Sequence, residues 1–270
     1  KKVETYILFP ENFRCYNIFS NVYTFTNIIV RGQPEMGRLD NKVAIITGSA
    51  SGQGREEAIL FAKEGARVVI ADIQLQKARK VAEEIERNGG KALVFYHDIS
   101  NEDQWSSLVR KTVKKFKRVD ILVNNASTPA NSDDLVEEWR RVLNVNMIGT
   151  FLGMKYVVPV MKELGGGSII NISSVAGLIA GGVNPYTASK GAIRAISKSA
   201  AVEYAPYNIR VNSIYPGMIH TPMTEDLLSN DGIRKHFESV TPLPFLGESP
   251  DVAYAVLYLA SDEARFTTGT

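Results

Sequence analysis

The chain has 270 residues, of which 44% are hydrophobic and 22% charged, and this composition is typical of one globular domain with a sizeable core. Its 31 basic and 29 acidic side chains nearly balance and are spread along the chain, which argues against a nucleic-acid-binding protein, because such proteins concentrate positive charge on one face. No apolar run is long enough to span a bilayer, so we expect no membrane partner.

Cysteine and histidine usage narrows the class further. Cys15 is the only cysteine, which excludes an intramolecular disulfide framework and a Cys-rich metal cluster and favours a reducing, cytoplasmic compartment. The histidines are scattered without metal-ligand spacing, so we predict no metal site; they are His97, His220 and His236.

The first 36 residues differ from the rest, because they carry many aromatic side chains and asparagines without helical periodicity. Glu4, Glu11 and Arg14 interrupt any apolar region of the kind that a signal peptide requires. We therefore expect residues 1–36 to be an appendage, either an upstream extension or an unusual leader, and residues 37–270 to form a single domain.

From Lys42 onward, short β-branched runs alternate with amphipathic helical stretches. This alternation predicts an α/β fold, a doubly wound, Rossmann-type parallel sheet in three layers, with ligands beyond the carboxyl ends of the strands. The predicted strands are Val43–Thr47, Arg67–Ala71, Ala92–Tyr96, Asp120–Asn124, Ser168–Ile172 and Ile209–Ile214. The predicted helices are Glu56–Glu64, Gln74–Asn88, Glu102–Phe116, Leu135–Glu163, Pro185–Tyr204 and Pro250–Ser261.

The first predicted strand runs into a glycine-rich loop, Thr47-Gly48-Ser49-Ala50-Ser51-Gly52-Gln53-Gly54, that opens the first helix. Glycines let the backbone approach a pyrophosphate, whose charge then lies at the free N–H groups and the positive dipole end of the helix. A loop that merely contains glycines is the alternative, but the position between strand and helix favours a nucleotide site. The predicted cofactor-binding residues here are Gly48, Ser51, Gly52, Gln53 and Gly54.

Asp72 closes the second predicted strand, where a carboxylate can accept hydrogen bonds from the adenosine ribose and repel a 2′-phosphate. No Arg or Lys interrupts the glycine loop, and Arg55 is the nearest cation, so the sequence favours NAD over NADP. The alternative for Asp72 is that it caps the following helix. Asp98 and Ile99, after the third strand, are predicted to contact the adenine, although a helix-capping Asp98 would have the same sequence.

Tyr186 and Lys190 lie four residues apart and therefore share one face of the predicted helix. A nearby ammonium favours the phenolate, so we expect the pKa of Tyr186 to fall from its ordinary value of about 10 and the side chain to act as a general acid or base. Without other motifs, such a pair is more often a solvated tyrosine beside a surface lysine.

These motifs in this order resemble the short-chain dehydrogenase/reductase family, and the resemblance covers residues 39–270. The matching segments are Thr47 to Gly54, Asn124-Asn125-Ala126, Asn171-Ile172-Ser173-Ser174, Tyr186 to Lys190, and Pro216-Gly217 followed by Thr221. The resemblance implies an NAD-dependent oxidoreductase that interconverts a secondary alcohol and a ketone.

The resemblance also implies roles for individual residues. Tyr186 would exchange a proton with the substrate oxygen, Lys190 would lower the tyrosine pKa and bind the nicotinamide ribose, and Ser174 would hydrogen-bond the reacting oxygen. Ser174 is preferred to Ser173 because the second serine of the motif is usually the catalytic one and only one of two neighbours on a strand can face the site. The further cofactor contacts implied are Asn125, Ala126, Pro216, Gly217, Ile219 and Thr221.

Asn146 matches the family asparagine that holds a water linking Lys190 to solvent. Its alternative is an amide that satisfies a local backbone group, and Asn144 nearby leaves the assignment open.

Three positions depart from the family pattern. Ser127 replaces the glycine that ends Asn-Asn-Ala-Gly, and Pro244-Phe245-Leu246-Gly247 stands where many relatives carry Gly-Arg. The sequence given ends at Thr268-Gly269-Thr270, where the family continues into one more strand. We therefore expect the domain to lack its last edge strand.

The segment from Met218 to Leu246 is rich in apolar residues, which favours a hydrophobic or alicyclic substrate. Together with Phe151 to Lys155, its beginning resembles bacterial hydroxysteroid dehydrogenases of the family. The alternatives are a 3-oxoacyl-thioester reductase and a non-catalytic NAD-sensing protein. The two long helices, Leu135–Glu163 and Pro185–Tyr204, match those that pair subunits in the family, so we expect a homodimer or homotetramer.

Overall fold

A computed structural model describes residues 37–132, 135–179 and 182–270, which contain a six-stranded sheet with helices on both faces. The strands of this sheet are β1 Val43–Thr47, β2 Arg67–Asp72, β3 Lys91–Tyr96, β4 Ile121–Asn124, β5 Gly167–Ile172 and β6 Ile209–Ile214. The helices are α1 Gly52–Lys63, α2 Leu75–Arg87, α3 Glu102–Phe116, α4 Val136–Leu143, α5 Gly149–Glu163, α6 Pro185–Tyr204, α7 Glu225–Leu228, α8 Asp231–Val240 and α9 Ser249–Ala260. A separate two-stranded sheet pairs β7 Ile219–His220 with β8 Gly247–Glu248.

The strand order is β3-β2-β1-β4-β5-β6, and all five pairings are parallel. The chain winds outward from β1 to β3 and then returns to the other side of β1, so the order reverses between β1 and β4. The carboxyl ends of these two central strands therefore border the crevice in which such sheets bind ligands. The predicted doubly wound, Rossmann-type fold is confirmed.

Side chains alternate across the strands and fill a separate core on each face of the sheet. On one face, Ile46 of β1 packs with Phe61 of α1 and Val256 of α9. On the other face, Ile45 packs with Trp105 of α3 and Met154 of α5. Because all five residues of β1 are buried, the strand reads as a continuous apolar run rather than an alternating one. The predicted three layers are confirmed.

The predicted helix Leu135–Glu163 is wrong as a single α-helix. The structure divides it into α4 and α5, which are joined by a π-helical turn over Asn144–Ile148. In this turn the Gly149 N–H donates to the Asn144 carbonyl, five residues back, instead of four. The turn places Asn146 in the interior.

At one edge of the sheet, the end of the sequence runs beside β6. The Gly269 N–H donates to the Val211 carbonyl at 2.8 Å, and the Ser213 N–H donates to the Thr270 carbonyl at 2.9 Å. The expectation that a further strand is missing remains a prediction.

Other predictions concern segments that the structure does not describe. Residues 1–36, the predicted appendage, lie outside the described residues, as does Cys15. Within the described ranges, no helix combines the length and the apolar composition needed to cross a membrane.

Candidate active site

The glycine-rich loop connects β1 to the start of α1. Gly48 and Gly52 have φ angles of 66° and 55°, a region that only glycine enters without strain. A Cβ at Gly54 would collide with the Gly48 carbonyl oxygen and the Asn125 side-chain amide. Ser51 precedes α1 without a side-chain hydrogen bond to the helix, and the first turn of α1 carries no acidic residue. The loop therefore offers backbone N–H groups and a positive dipole end to an anion such as a pyrophosphate.

Asn125 supports this loop from below. Its side-chain amide donates to the carbonyl oxygens of Thr47 and Gly48 at 2.9 and 3.2 Å. The Thr47 hydroxyl accepts hydrogen bonds from the N–H groups of Asn125 and Ala126, both at 3.1 Å. Asn125 and Ala126 therefore hold the glycine loop in position by hydrogen bonds to Thr47 and Gly48, and we expect them to shape the predicted nucleotide site in this way.

Asp72 lies buried at the carboxyl end of β2. One carboxylate oxygen accepts from the Ala50 N–H at 2.9 Å, and the other accepts from the Gln74 N–H at 2.7 Å. The side chain therefore ties the glycine loop to the start of α2. Each carboxylate oxygen has a second lone pair, so the group retains acceptor capacity for ribose hydroxyls.

Arg55, the cation nearest the loop in sequence, is already engaged. Its guanidinium forms ion pairs with Glu56 and with Glu84 of α2, the latter at 2.7 Å. Binding a 2′-phosphate through Arg55 would require breaking at least one of these pairs.

Asp98 and Ile99 occupy the turn that leads from β3 to α3. The Asp98 carboxylate accepts from the Ser100 N–H and hydroxyl at 2.9 and 2.7 Å. The Ile99 side chain is buried and faces Gly149, where an added Cβ would lie 2.8 Å from its terminal carbon. Any contact of Ile99 with a cofactor would therefore come from its backbone.

The predicted catalytic residues converge beyond the carboxyl end of β5. Asn184 begins α6 by accepting a hydrogen bond from the Thr187 N–H, and Tyr186 and Lys190 follow on the first turns. The Lys190 ammonium lies 5.5 Å from the centroid of the Tyr186 ring and donates to the Ile172 carbonyl at 2.9 Å. The Ser174 side chain is hydrogen-bonded to Tyr186.

The pKa shifts of this pair are controlled by burial. Burial lowers the pKa of Lys190 to about 7. Burial also raises the pKa of Tyr186, although its hydrogen bond with Ser174 acts in the opposite direction. The sequence-based expectation of a lowered tyrosine pKa is therefore wrong for the protein by itself, because removing the phenolate from water outweighs the stabilisation that its neighbours provide.

The two adjacent serines point in different directions. The Ser173 hydroxyl is buried and donates to the Lys190 carbonyl at 2.8 Å. The Ser174 hydroxyl is partly exposed and accepts from the Ala176 N–H at 3.1 Å while contacting Tyr186. This geometry gives Ser173 a backbone partner and leaves Ser174 facing the candidate reaction site.

Asn146 is fully buried, and its side-chain amide is occupied by protein groups. The amide donates to the Thr128 carbonyl and to the Ser189 hydroxyl, both at 3.0 Å. Its oxygen accepts from the Thr128 N–H at 2.8 Å. The predicted role of holding a water beside Lys190 remains a prediction, whereas the contact with α6 is present in the structure.

The segment after β6 crosses the site. The Pro216 carbonyl accepts from the Val175 N–H at 3.1 Å, next to Ser174, and Gly217 follows it. Farther along, Thr221 approaches the glycine loop, where an added Cβ at Gly52 would lie 3.6 Å from the Thr221 Cβ. The side chain of Ile219 is buried in the core rather than open to the site.

Two supporting residues were not predicted from the sequence. Ser189 donates to the Tyr186 carbonyl at 2.7 Å and accepts from Asn146. Gly177 packs on the backbone of α6, where an added Cβ would lie 2.7 Å from the Lys190 carbonyl carbon. Ser189 lies within the Tyr186 to Lys190 motif, so the sequence offered a reason to consider it. Gly177 lies in no motif, and its contact with α6 is visible only in the folded structure.

Comparison with known proteins is consistent with this arrangement. A family model described as enoyl-(acyl carrier protein) reductase matches residues 48–270. A cyclopentanol dehydrogenase from a Comamonas species is 40% identical over 239 residues, covering 87% of this chain and 96% of that protein. A cyclohexanol dehydrogenase from an Acinetobacter species is 38% identical over 238 residues, covering 86% and 93%. A 3-oxoacyl-(acyl-carrier-protein) reductase from Thermotoga maritima is 41% identical over 238 residues, covering 86% and 95%.

Solved structures show the same fold. A short-chain type dehydrogenase/reductase from Mycobacterium ulcerans superposes with a TM-score of 0.82 at 31% identity. The superposition covers 86% of this chain and 87% of that one. The likeness therefore extends over nearly all of the residues that the structure describes.

Proposed function

The chain belongs to the short-chain dehydrogenase/reductase family, and on that basis we propose that it is an NAD-dependent oxidoreductase that interconverts a secondary alcohol and a ketone. The observation that carries the proposal is the convergence of Tyr186, Lys190 and Ser174 beyond the carboxyl end of β5. The glycine loop lies at the carboxyl end of β1 on the same side of the parallel sheet, where a dinucleotide fits.

The residues of the site account for the movement of the proton. The cofactor, when bound, accepts or supplies the hydride. In the oxidation direction, the deprotonated oxygen of Tyr186, the phenolate, takes the proton from the substrate hydroxyl as the carbonyl forms and becomes the neutral phenol. Ser174 donates a hydrogen bond to the same substrate oxygen, which holds it near the tyrosine. Lys190, in its ammonium form, favours the phenolate that accepts this proton.

The proposed preference for NAD rests on charge around the adenosine end. Asp72 places a carboxylate at the end of β2, where it would repel a 2′-phosphate. Arg55, the cation nearest the glycine loop in sequence, is paired with two glutamates and is therefore less available to bind a 2′-phosphate.

For the substrate, we favour a small alicyclic secondary alcohol, with a steroid as a larger member of the same apolar class. The segment between β7 and β8 carries four apolar side chains that are each about half exposed, namely Met223, Leu227, Leu243 and Phe245. Two of the relatives carry cyclopentanol and cyclohexanol in their names.

A 3-oxoacyl-thioester reductase is the second candidate, since one relative of equal similarity has that name. The Asp72 carboxylate argues against this candidate, because we expect such a reductase to use NADPH, whose 2′-phosphate the carboxylate would repel. A non-catalytic NAD sensor is disfavoured because Tyr186, Lys190 and Ser174 are all present and in contact range.

We also propose a homodimer or homotetramer assembled through α5 and α6. Ile148, directly before α5, and Phe151, in its first turn, are 36% and 41% exposed, and Val202 near the end of α6 is 78% exposed. Covering such apolar side chains stabilises association, which light scattering on the purified protein measures directly.

The variant Tyr186→Phe tests the proposed chemistry. Removing the hydroxyl removes the proton acceptor, so we expect kcat to fall by at least about a hundredfold while the Kd for NAD changes little. Tyr204→Phe, at the far end of the same helix, is the matched control and is expected to retain activity. Full activity of Tyr186→Phe with a cyclic alcohol would show that another group transfers the proton.

A further inference from the structure

A bidentate ion pair on α4 holds the loop that follows β4. The Arg141 guanidinium donates to both carboxylate oxygens of Glu138, at 2.7 and 2.8 Å. It also donates to the Thr128 hydroxyl at 2.7 Å and to the Pro129 carbonyl at 2.8 Å. Glu138 in turn accepts from the Asn131 N–H at 2.6 Å. The pair is therefore hydrogen-bonded to the loop at Thr128, Pro129 and Asn131.

The loop is hydrogen-bonded in turn to the side-chain amide of Asn146. The Thr128 N–H donates to the Asn146 side-chain oxygen, and the Thr128 carbonyl accepts from its amide nitrogen. The second amide hydrogen reaches the Ser189 hydroxyl, which donates to the Tyr186 carbonyl. Ser189 directly precedes Lys190 on α6. An unbroken series of hydrogen bonds thus runs from Arg141 to the turn of helix that carries both Tyr186 and Lys190.

We propose that Arg141 and Glu138 are positioning residues for this reaction, which fix Asn146 and the Tyr186–Lys190 turn through the loop at Thr128. The proposal rests on the proposed function, because the turn matters only if it carries the proton-transfer pair. Hydrogen bonds that share members strengthen one another, and small displacements of a reacting group reduce rates strongly. Both amide hydrogens of Asn146 and its side-chain oxygen are used in these contacts, so a displacement of the loop at Thr128 would change the hydrogen bonding of the whole side-chain amide.

The pair acts as a fixed anchor rather than as a titrating one. The hydrogen bonds from Arg141, followed by the one from the Asn131 N–H, lower the pKa of Glu138 to about 2. The carboxylate therefore keeps its charge throughout the pH range of an enzyme assay. A change in the pH profile after substitution at Arg141 would accordingly report on the groups in the active site.

Arg140 supplies a matched control on the same helix. It forms an ion pair with Glu137 that has the same spacing, but the two groups are 3.9 Å apart and both side chains are highly exposed. If the Arg141 pair only supported α4, Arg140→Met and Arg141→Met would have similar effects.

The test compares Arg141→Met, Thr128→Val and Arg140→Met by amide hydrogen exchange and by kinetics. Thr128→Val removes only the hydroxyl that Arg141 contacts and is expected to fold even if Arg141→Met does not. We expect the backbone amide of residue 128, after correction for the intrinsic exchange rate of the residue present, to exchange at least about tenfold faster in the first two variants and to be unchanged in the third. We expect kcat to fall about tenfold with little change in KM, and the pH midpoint of kcat/KM to shift.

The exchange measurement separates the two possible failures. If the wild-type protein shows no turnover, the proposed function fails, while faster exchange at Thr128 still supports the positioning contact. If exchange and the pH profile of Arg141→Met and Thr128→Val match those of Arg140→Met, the positioning role is wrong even in an active enzyme.

Discussion

At the scale of single residues, two neighbouring serines have different partners, which supports the proposed catalytic role for only one of them. Ser173 is buried and bonds to the backbone of α6, whereas Ser174 reaches the tyrosine. This division follows from the alternation of side chains at the end of β5. The sequence motif identified both serines, whereas the face of the sheet toward which each side chain points distinguishes their proposed roles.

Ser174→Ala and Ser173→Ala are expected to affect different measurements. Ser174→Ala removes a donor to the reacting oxygen, so kcat should fall by about a hundredfold with little loss of stability. Ser173→Ala loses a buried hydrogen bond and should lower the free energy of unfolding by about 1 kcal/mol, with a smaller loss of kcat. Steady-state kinetics and urea unfolding measure the two effects, and the reverse pattern would contradict the assignment.

At the scale of elements, the start of α1 depends on close packing of backbone against backbone. Gly54 lies so near the Gly48 carbonyl that no side chain fits, and Asn125 closes the remaining space. The same closeness lets the loop present its N–H groups to a ligand. The cradle, by which we mean the anion-binding arrangement of backbone N–H groups in the glycine-rich loop, is therefore a property of the β1–α1 connection rather than of any one side chain.

Gly54→Ala should displace this connection. The added methyl group has no space, so we expect NAD affinity to fall at least about tenfold together with a stability loss of about 1 to 3 kcal/mol. Gly191→Ala on α6 is the control, because an added Cβ there meets nothing within 4 Å and the φ angle is ordinary. That control should gain about 0.5 to 1 kcal/mol. Calorimetric titration with NAD and thermal unfolding decide the matter, and unchanged NAD affinity in Gly54→Ala would contradict the cradle.

At the scale of the whole molecule, two titratable side chains are buried in a largely apolar interior. Glu57 of α1 is fully buried, and burial raises its pKa to about 8. His97 is also buried, packs edge-on against Trp105, and has its pKa lowered to about 4 by burial. Neither side chain has a hydrogen-bond partner in the structure. Both are neutral near pH 6, where we expect the protein to be most stable.

The pH dependence of stability can be traced to Glu57. The pKa of Glu57 is raised in the folded state, so its burial costs no folding free energy below about pH 4.5, the ordinary pKa of a glutamate. The cost grows as the pH rises toward 8, because the unfolded chain loses the proton that the folded protein keeps. Replacing Glu57 with the apolar Met should therefore stabilise the protein more at pH 8 than at pH 5, by up to about 4 kcal/mol at about 1.4 kcal/mol for each pKa unit. Chemical unfolding at both pH values measures the difference. Glu86→Met, at an exposed position, is the matched control for replacing a glutamate by methionine, and an equal effect of Glu57→Met at both pH values would contradict the buried neutral carboxyl.

The sequence predicts the sheet well, because parallel strands buried on both faces are apolar runs with clear ends. Val43–Thr47 and Ile209–Ile214 have the predicted bounds. The π-helical turn at Asn144–Ile148 was missed, since a shift of one hydrogen bond hardly alters apolar periodicity. The helices α7 and α8 were likewise read only as an apolar segment.

For the candidate site, motifs identified the residues but not their environment. The pKa of Tyr186 depends on burial, which spacing along a helix does not reveal. The hydrogen bond from Arg141 to Thr128 joins helix α4 to the loop that precedes it and forms only when the chain is folded. Motifs report residue type and order, whereas desolvation and tertiary contacts decide how strongly each group acts.

The most direct test of the proposed function is the ratio of kcat/KM for NAD to that for NADP with cyclopentanol or cyclohexanol as the substrate. We expect reduction of NAD, and a preference over NADP of at least about tenfold, because the Asp72 carboxylate repels the 2′-phosphate. No reduction of either cofactor with a cyclic secondary alcohol and no oxidation of reduced cofactor with the matching ketones would contradict the account, as would a clear preference for NADP.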